Sequence, residues 1–213
     1  MQVTLASTSP ARLMLMRQAG IEPRLESPGV DEDAVVAEVE AAEKRTLSPT
    51  EHVLLLARRK AADVAARLAE EGYEGLVIGG DSMFELSGVV YGKPHTAERA
   101  ISRWHDMRGR TGVLHSGHSV YRVTADGSYE AHAVAEARVT FAADVTDREI
   151  EAYAATGEPL QVAGAFTVDS LGGAFIDSVE GDPSTVVGMS LSTVRRLVRD
   201  LGVEWTSLWS AAD

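Results

Sequence analysis

Apolar positions along the chain alternate between two periods, and the changes of period outline a series of strands and helices. Val3, Leu5 and Ala6 read as the end of a short buried strand, and Leu13, Met14, Met16 and Ala19 follow at helical spacing until Gly20 stops the pattern. Arg24-Leu25-Glu26 reads as a short strand ending at Ser27-Pro28-Gly29, and the acidic, Ala- and Val-rich segment from Val30 to Glu43 as partly helical. Ser48-Pro49-Thr50-Glu51 opens a long helix through Ala69, with Val53, Leu54, Leu56, Ala57, Ala61 and Val64 towards a core. Gly75 to Ile78 predicts a buried strand running into a tight turn at Gly79-Gly80. Met83–Leu86 and Val89–Tyr91, separated by Ser87-Gly88, predict a hairpin, and Thr96–Met107 a helix. Two longer strands, Val113–Val123 and His132–Phe141, are joined through Ala125-Asp126-Gly127-Ser128. Asp147–Ala155 is a helix capped by Thr146, Gly173–Val179 a strand, Ser190–Leu201 a basic-ended helix, and Val203 onward a tail.

This mixed order predicts an α/β protein with hairpins in its sheet, not a purely parallel doubly wound one. No repeat, low-complexity tract or linker divides the chain, so residues 1–213 are expected to form a single domain. Two lobes around one cleft are expected within it, with the split after Pro94.

Between the first strand and the first helix lie Ser7, Thr8, Ser9 and Pro10, with Arg12 one turn on. A strand feeding a helix start aims free N–H groups and the positive end of the helix dipole at one spot, which suits a phosphate. The same hydroxyls also make an ordinary cap, and Pro10 fits the first turn of any helix. Val30-Asp31-Glu32-Asp33 places three carboxylates after a Pro-Gly turn, as solvated charges or as hard-metal ligands. Asp81, after Gly79-Gly80, sits where open α/β sheets place ligand-binding groups; it either forms the turn or orients and deprotonates a water. Lys93, held between Gly92 and Pro94, and Lys60, on the long helix, are surface charges or phosphate partners. Gly157-Glu158-Pro159, the small-residue stretch Val162–Phe166 and the loop Gly181–Gly188 suggest close packing or a base pocket.

Composition narrows the classes. The chain has 213 residues, 45% of them hydrophobic, enough for a substantial core. Twenty basic against 32 acidic residues give a net charge of −12, which disfavours a nucleic-acid or anionic-membrane surface and makes a polyanionic ligand dependent on local cations and a metal ion. The absence of cysteine removes disulfides and thiolate chemistry. The six histidines show no metal-ligand spacing, and His115 and His118 fall on one predicted strand and its turn without partners. There is no P-loop and no GxSxG elbow. No leader or membrane-length apolar run is present, so a soluble cytoplasmic protein is expected.

In order the chain shows LASTSPAR, VDE, LARRKA, GGDS, GKP, MRGR, YAATGEP, VAGAF and GDPSTVVGMSL. From Leu5 to Leu201 this series resembles the Maf family of nucleoside triphosphate pyrophosphatases, and its VAGAF variant resembles an actinobacterial branch. The resemblance implies a two-lobed, mixed-sheet α/β fold related to the inosine triphosphate pyrophosphatases, with the nucleotide in a central cleft. It implies hydrolysis of a nucleoside triphosphate to monophosphate and pyrophosphate with Mg²⁺ or Mn²⁺, a house-cleaning role and a homodimer. Ser7, Thr8, Ser9, Arg12 and Ser82 then match substrate-binding positions. Glu32 and Asp81 match the acidic, metal-holding pair, with Asp81 as proton acceptor, and Lys60 and Lys93 match the lysines that face the phosphates. The alternative is a nucleotide-binding regulator of cell division acting without turnover.

Ala11, Gly80 and Ser82 depart from the family's Arg, Ala and Thr. So do Gln161-Val162 (Asp-Lys in the family) and Val168-Asp169 (Ile-Gln). These departures leave the reaction more transferable than the choice of base.

Overall fold

The computed structural model describes residues 1–210; the last three residues of the expected tail lie outside them. In chain order the elements are β1 (Gln2–Ala6), α1 (Pro10–Gln18), β2 (Arg24–Glu26), α2 (Glu32–Glu43), α3 (Pro49–Glu70), β3 (Gly75–Leu86), β4 (Val89–Tyr91) and α4 (Ala97–Met107). Then come β5 (Thr111–Thr124), β6 (Gly127–Phe141), α5 (Asp147–Ala155), β7 (Ile176–Gly181), α6 (Pro183–Val187) and α7 (Leu191–Asp200), with short 3₁₀ turns after α5 and α7. This is a mixed α/β protein. The strands form a seven-stranded sheet in the order β2-β1-β3-β5-β6-β7, with β4 paired to β3. β1 runs parallel to both β2 and β3, while β3–β4 and β6–β7 are antiparallel.

Local chemistry starts the helices where the sequence places them. The Ser9 hydroxyl caps α1 and Pro10 occupies its first turn. Ser48 with Glu51, and Thr146 with Glu149, form capping boxes at α3 and α5, and Ser190 caps α7.

The described chain divides into two compact units, and it crosses between them four times rather than once after Pro94. The first comprises Met1–Asp81, Ser116–Ala135 and the chain from Gly188 on; the second comprises Ser82–His115 and Glu136–Val187. In the first unit, Ala6, Val64, Ala65, Leu68, Tyr73, Val77 and Val123 form a core cluster, and Tyr73 satisfies its buried hydroxyl on Thr4 and the Leu76 carbonyl. In the second, Phe84, Trp104, Phe141, Tyr153 and Phe166 pack edge to face, and the Trp104 indole donates to the Ala165 carbonyl at 2.8 Å.

Several expectations are corrected. β3 does not turn at Gly79-Gly80 but continues through Asp81 to Leu86. A Cβ on residue 79 would lie 2.6 Å from the Ala57 carbonyl oxygen and 2.8 Å from the Ala61 Cβ, so this glycine admits α3 against the strand instead of reversing the chain. The acidic segment read as partly helical is α2, which Glu32 opens and Asp31 caps by accepting from the Ala34 N–H at 3.0 Å. The strand expected at Gly173–Val179 begins only at Ile176, because Leu171–Phe175 winds into a 3₁₀ turn around Gly172. The expected tail is docked over its described part: Leu208 is buried and the Ser210 N–H donates to the Gly20 carbonyl at 2.7 Å.

Candidate active site

In a strand, residues two apart share a face, so Gly79 and Asp81 both face α3. On α3 the spacing of four aligns Leu56, Lys60 and Val64 on the stripe that the helix buries, and Lys60 is only 7% exposed. With residue 79 lacking a side chain, helix and strand approach closely enough for Lys60 Nζ to donate to Asp81 Oδ1 at 2.7 Å. The same ammonium lies 2.8 Å from Glu32 Oε1 in the first turn of α2. Three separate elements thus deliver two carboxylates and one cation to a single point. Burying such a group costs desolvation that an apolar side chain would avoid, so its presence marks a site more than a stabilising strut.

The first turn of α1 supplies the second cation. Arg12 is half-buried; its Nε donates to the Gly188 carbonyl at 2.9 Å and its Nη1 to the Ser7 hydroxyl at 3.2 Å. Ser7 is buried, and its oxygen also accepts from the Ser9 N–H at 3.2 Å. The three hydroxyls therefore divide their tasks: Ser9 caps the helix, Ser7 orders the turn and the guanidinium, and Thr8 is exposed. Burial lowers the Arg12 pKa, while the Asp81 and Glu32 carboxylates act in the opposite direction, so all three charges share one field.

Ser82, half-buried, and Lys93, exposed between β4 and α4, belong to the second unit. Sequence reasoning missed Ser116 and His118 as members of the surroundings. The Ser116 hydroxyl donates to the Gly188 carbonyl at 3.3 Å, beside Arg12, and the His118 Nε2 accepts from the Ser190 N–H at 2.9 Å. Their alternation along β5 was the available signal, since it puts both on one face. His115, also expected to lack partners, has Glu136 at 3.0 Å from Nδ1 and Glu85 at 3.0 Å from Nε2.

The donor set fits a hard divalent cation. Glu32 Oε1 and Asp81 Oδ1 both lie within 2.8 Å of one positively charged atom, and Mg²⁺ takes one or two carboxylates and leaves its remaining positions to water and phosphate. Among the described residues no group of three or more His, Asp or Glu is arranged to hold a metal. No helix among them is long and apolar enough to cross a membrane.

Over residues 2–201 the chain matches the family described as Maf-like protein. The chain belongs to the Maf family. Its relatives include the nucleoside triphosphate pyrophosphatase of Leifsonia xyli subsp. xyli, 59% identical over 100% of this chain and 98% of the relative. Proteins of the same name from Rhodococcus opacus and Streptomyces coelicolor are each 48% identical, over 98% and 100% of this chain and 96% of each relative. Residue 11 is alanine, so Arg12 is the one arginine in the first turn of α1, and a Cβ on residue 80 would stand 3.2 Å from Arg12 Nε; glycine there leaves that guanidinium its room.

Proposed function

We propose that this chain hydrolyses a nucleoside triphosphate to the nucleoside monophosphate and pyrophosphate, as the names of its relatives suggest. The observation that carries this reading is the convergence of Glu32 and Asp81 on Lys60, in the same unit as the Ser7–Arg12 loop. Attack of water on the α-phosphorus forms one P–O bond and breaks the bond between the α-phosphorus and the bridging oxygen; pyrophosphate leaves with that oxygen. Asp81 takes the proton of the attacking water. Its Oδ1 is engaged by Lys60, and its Oδ2 has no hydrogen-bond partner among the described residues, so the second oxygen is the proton acceptor.

Little covalent chemistry falls to the protein in such a reaction; positioning and charge stabilisation dominate. Lys60 keeps both carboxylates in register. Arg12, aimed by Ser7 and Gly188, offers donors to phosphate oxygens, and Thr8, Ser9, Ser82 and Lys93 are the remaining substrate contacts in this reading. Glu32 and Asp81 would hold Mg²⁺ or Mn²⁺, which when bound supplies charge neutralisation at the phosphate oxygens.

Product identification on a panel of standard and modified nucleoside triphosphates, with Mg²⁺ or Mn²⁺, tests the proposal. Monophosphate and pyrophosphate in equal amounts are expected. A diphosphate with inorganic phosphate would reject the bond assignment. Nucleotide binding without turnover across the panel would favour a regulatory role.

A further inference from the structure

The segment Gly92-Lys93-Pro94-His95 connects β4 to α4 within the second unit and is fastened on both sides of its lysine. The Gly92 carbonyl accepts a hydrogen bond from Nη1 of Arg103 on α4. Pro94 is buried. His95 adopts a left-handed backbone, φ 64°, and donates its N–H to the Leu160 carbonyl at 3.0 Å. Left-handed backbone is unfavourable for a residue with a Cβ and persists where surrounding contacts impose it. Lys93 itself is exposed, on a stretch of backbone held on both sides.

Arg103 is aimed by a second contact. Its guanidinium carbon lies 5.6 Å from the centroid of the Tyr91 ring, and that ring packs edge to face on buried Phe84 with centroids 6.3 Å apart. The Tyr91 hydroxyl donates to Asp106 Oδ2 at 3.4 Å. The arginine thus joins the last residue of β4, the loop and α4. Among the described residues it has no carboxylate partner, and neither do Lys93 or Arg99, one turn before it on the helix. Arg99 and Arg103 repel each other at this spacing, in a chain whose net charge is −12. Cations left without counter-charge beside a fixed loop suit an anionic ligand better than they suit helix stability.

We propose that Arg103 is a positioning residue for Lys93. By holding the carbonyl immediately before the lysine, it sets the direction from which the ammonium meets the phosphate chain of the substrate. This rests on the reading of Lys93 as a phosphate contact, and the test separates the two.

A double-mutant cycle on pyrophosphate release compares the wild type, Lys93→Ala, Arg103→Gln and the double variant, with thermal unfolding of each. The expected result is a loss of kcat/KM of about 10-fold for Arg103→Gln in the wild type and less than about 2-fold in the Lys93→Ala background, a coupling within the range for residues joined by one contact network. An equal penalty in both backgrounds would overturn the inference, because a general structural role does not depend on residue 93. Full activity of Arg103→Gln beside a damaged Lys93→Ala would overturn it and leave the phosphate reading standing. Full activity of Lys93→Ala would remove both. Should Arg103→Gln not fold, Arg103→Lys enters the same cycle and must show its penalty only where Lys93 is present.

Discussion

Oδ1 of Asp81 accepts a 2.7 Å hydrogen bond from Nζ of Lys60, tying the middle of β3 to the middle of α3. The bond depends on what is absent two residues earlier. Adding a methyl at residue 79 would place it 2.6 Å from the Ala57 carbonyl oxygen, one turn before Lys60, so Gly79→Ala must push helix and strand apart. Overpacking against backbone costs about 1–3 kcal/mol, so a lower Tm is expected. The larger effect should fall on turnover, because the Lys60–Asp81 distance is set by this approach. A variant with wild-type Tm and wild-type kcat would show that the glycine is incidental.

Asp81→Asn keeps the size of the side chain and an oxygen for Lys60 but removes the base. Turnover should fall by roughly 10²- to 10⁴-fold, the usual contribution of a positioned general base. Thermal unfolding of the variant separates lost chemistry from lost fold, since Lys60 keeps the Glu32 carboxylate and an amide oxygen as partners. Single-turnover kinetics with bound nucleotide distinguish this from lost affinity; a change confined to KM would contradict the role of Asp81.

Arg12 is the one arginine in the first turn of α1, and it is already oriented by Ser7 and the Gly188 carbonyl. Arg12→Ala should therefore abolish most turnover, by about 10²-fold or more as expected for a lost charge-stabilising group. Gly80→Ala should do a smaller version of the same damage, because its Cβ would stand 3.2 Å from Nε. Near-normal activity of Arg12→Ala would reduce the loop to a helix cap.

How much of this was legible depended on the range of the interaction. Ser9, Ser48, Thr146 and Ser190 act within one turn of themselves, and the helices begin where those residues predict. The hairpin at Ser87-Gly88 was legible for the same reason. Gly79-Gly80 misled because a glycine pair has the same local signature whether it bends the chain or lets another element in; here the decisive neighbour, Ala57, is on a helix well upstream. Lys60 looked like part of a solvated face, yet its spacing from Leu56 and Val64 already put it on the buried stripe. The partners of His115 and His118 come from other strands and from the α7 cap, and no local pattern reports them.

Glu158 gives the second unit a pH-dependent fastening. Burial alone would raise its pKa, but hydrogen bonds from Thr167, from Ser170 at 2.8 Å, from the Gly172 N–H at 3.1 Å and from Tyr153 at 3.0 Å together hold it at about 2, below its ordinary 4.5. A carboxylate ionised more readily in the folded than in the unfolded chain adds stability that is complete above pH 4.5 and is lost as pH falls towards 2. Solvent screening leaves about 1 kcal/mol of this in the half-buried loop, on the order of 2–4 °C in Tm for a chain of this size. Glu158→Gln should lower Tm by that amount at neutral pH and make the decline below pH 4.5 shallower than in the wild type, so the two curves converge in acid. Unfolding curves collected from neutral pH downward check this; two lines that stay parallel would show that the ionised carboxylate contributes nothing to the loop.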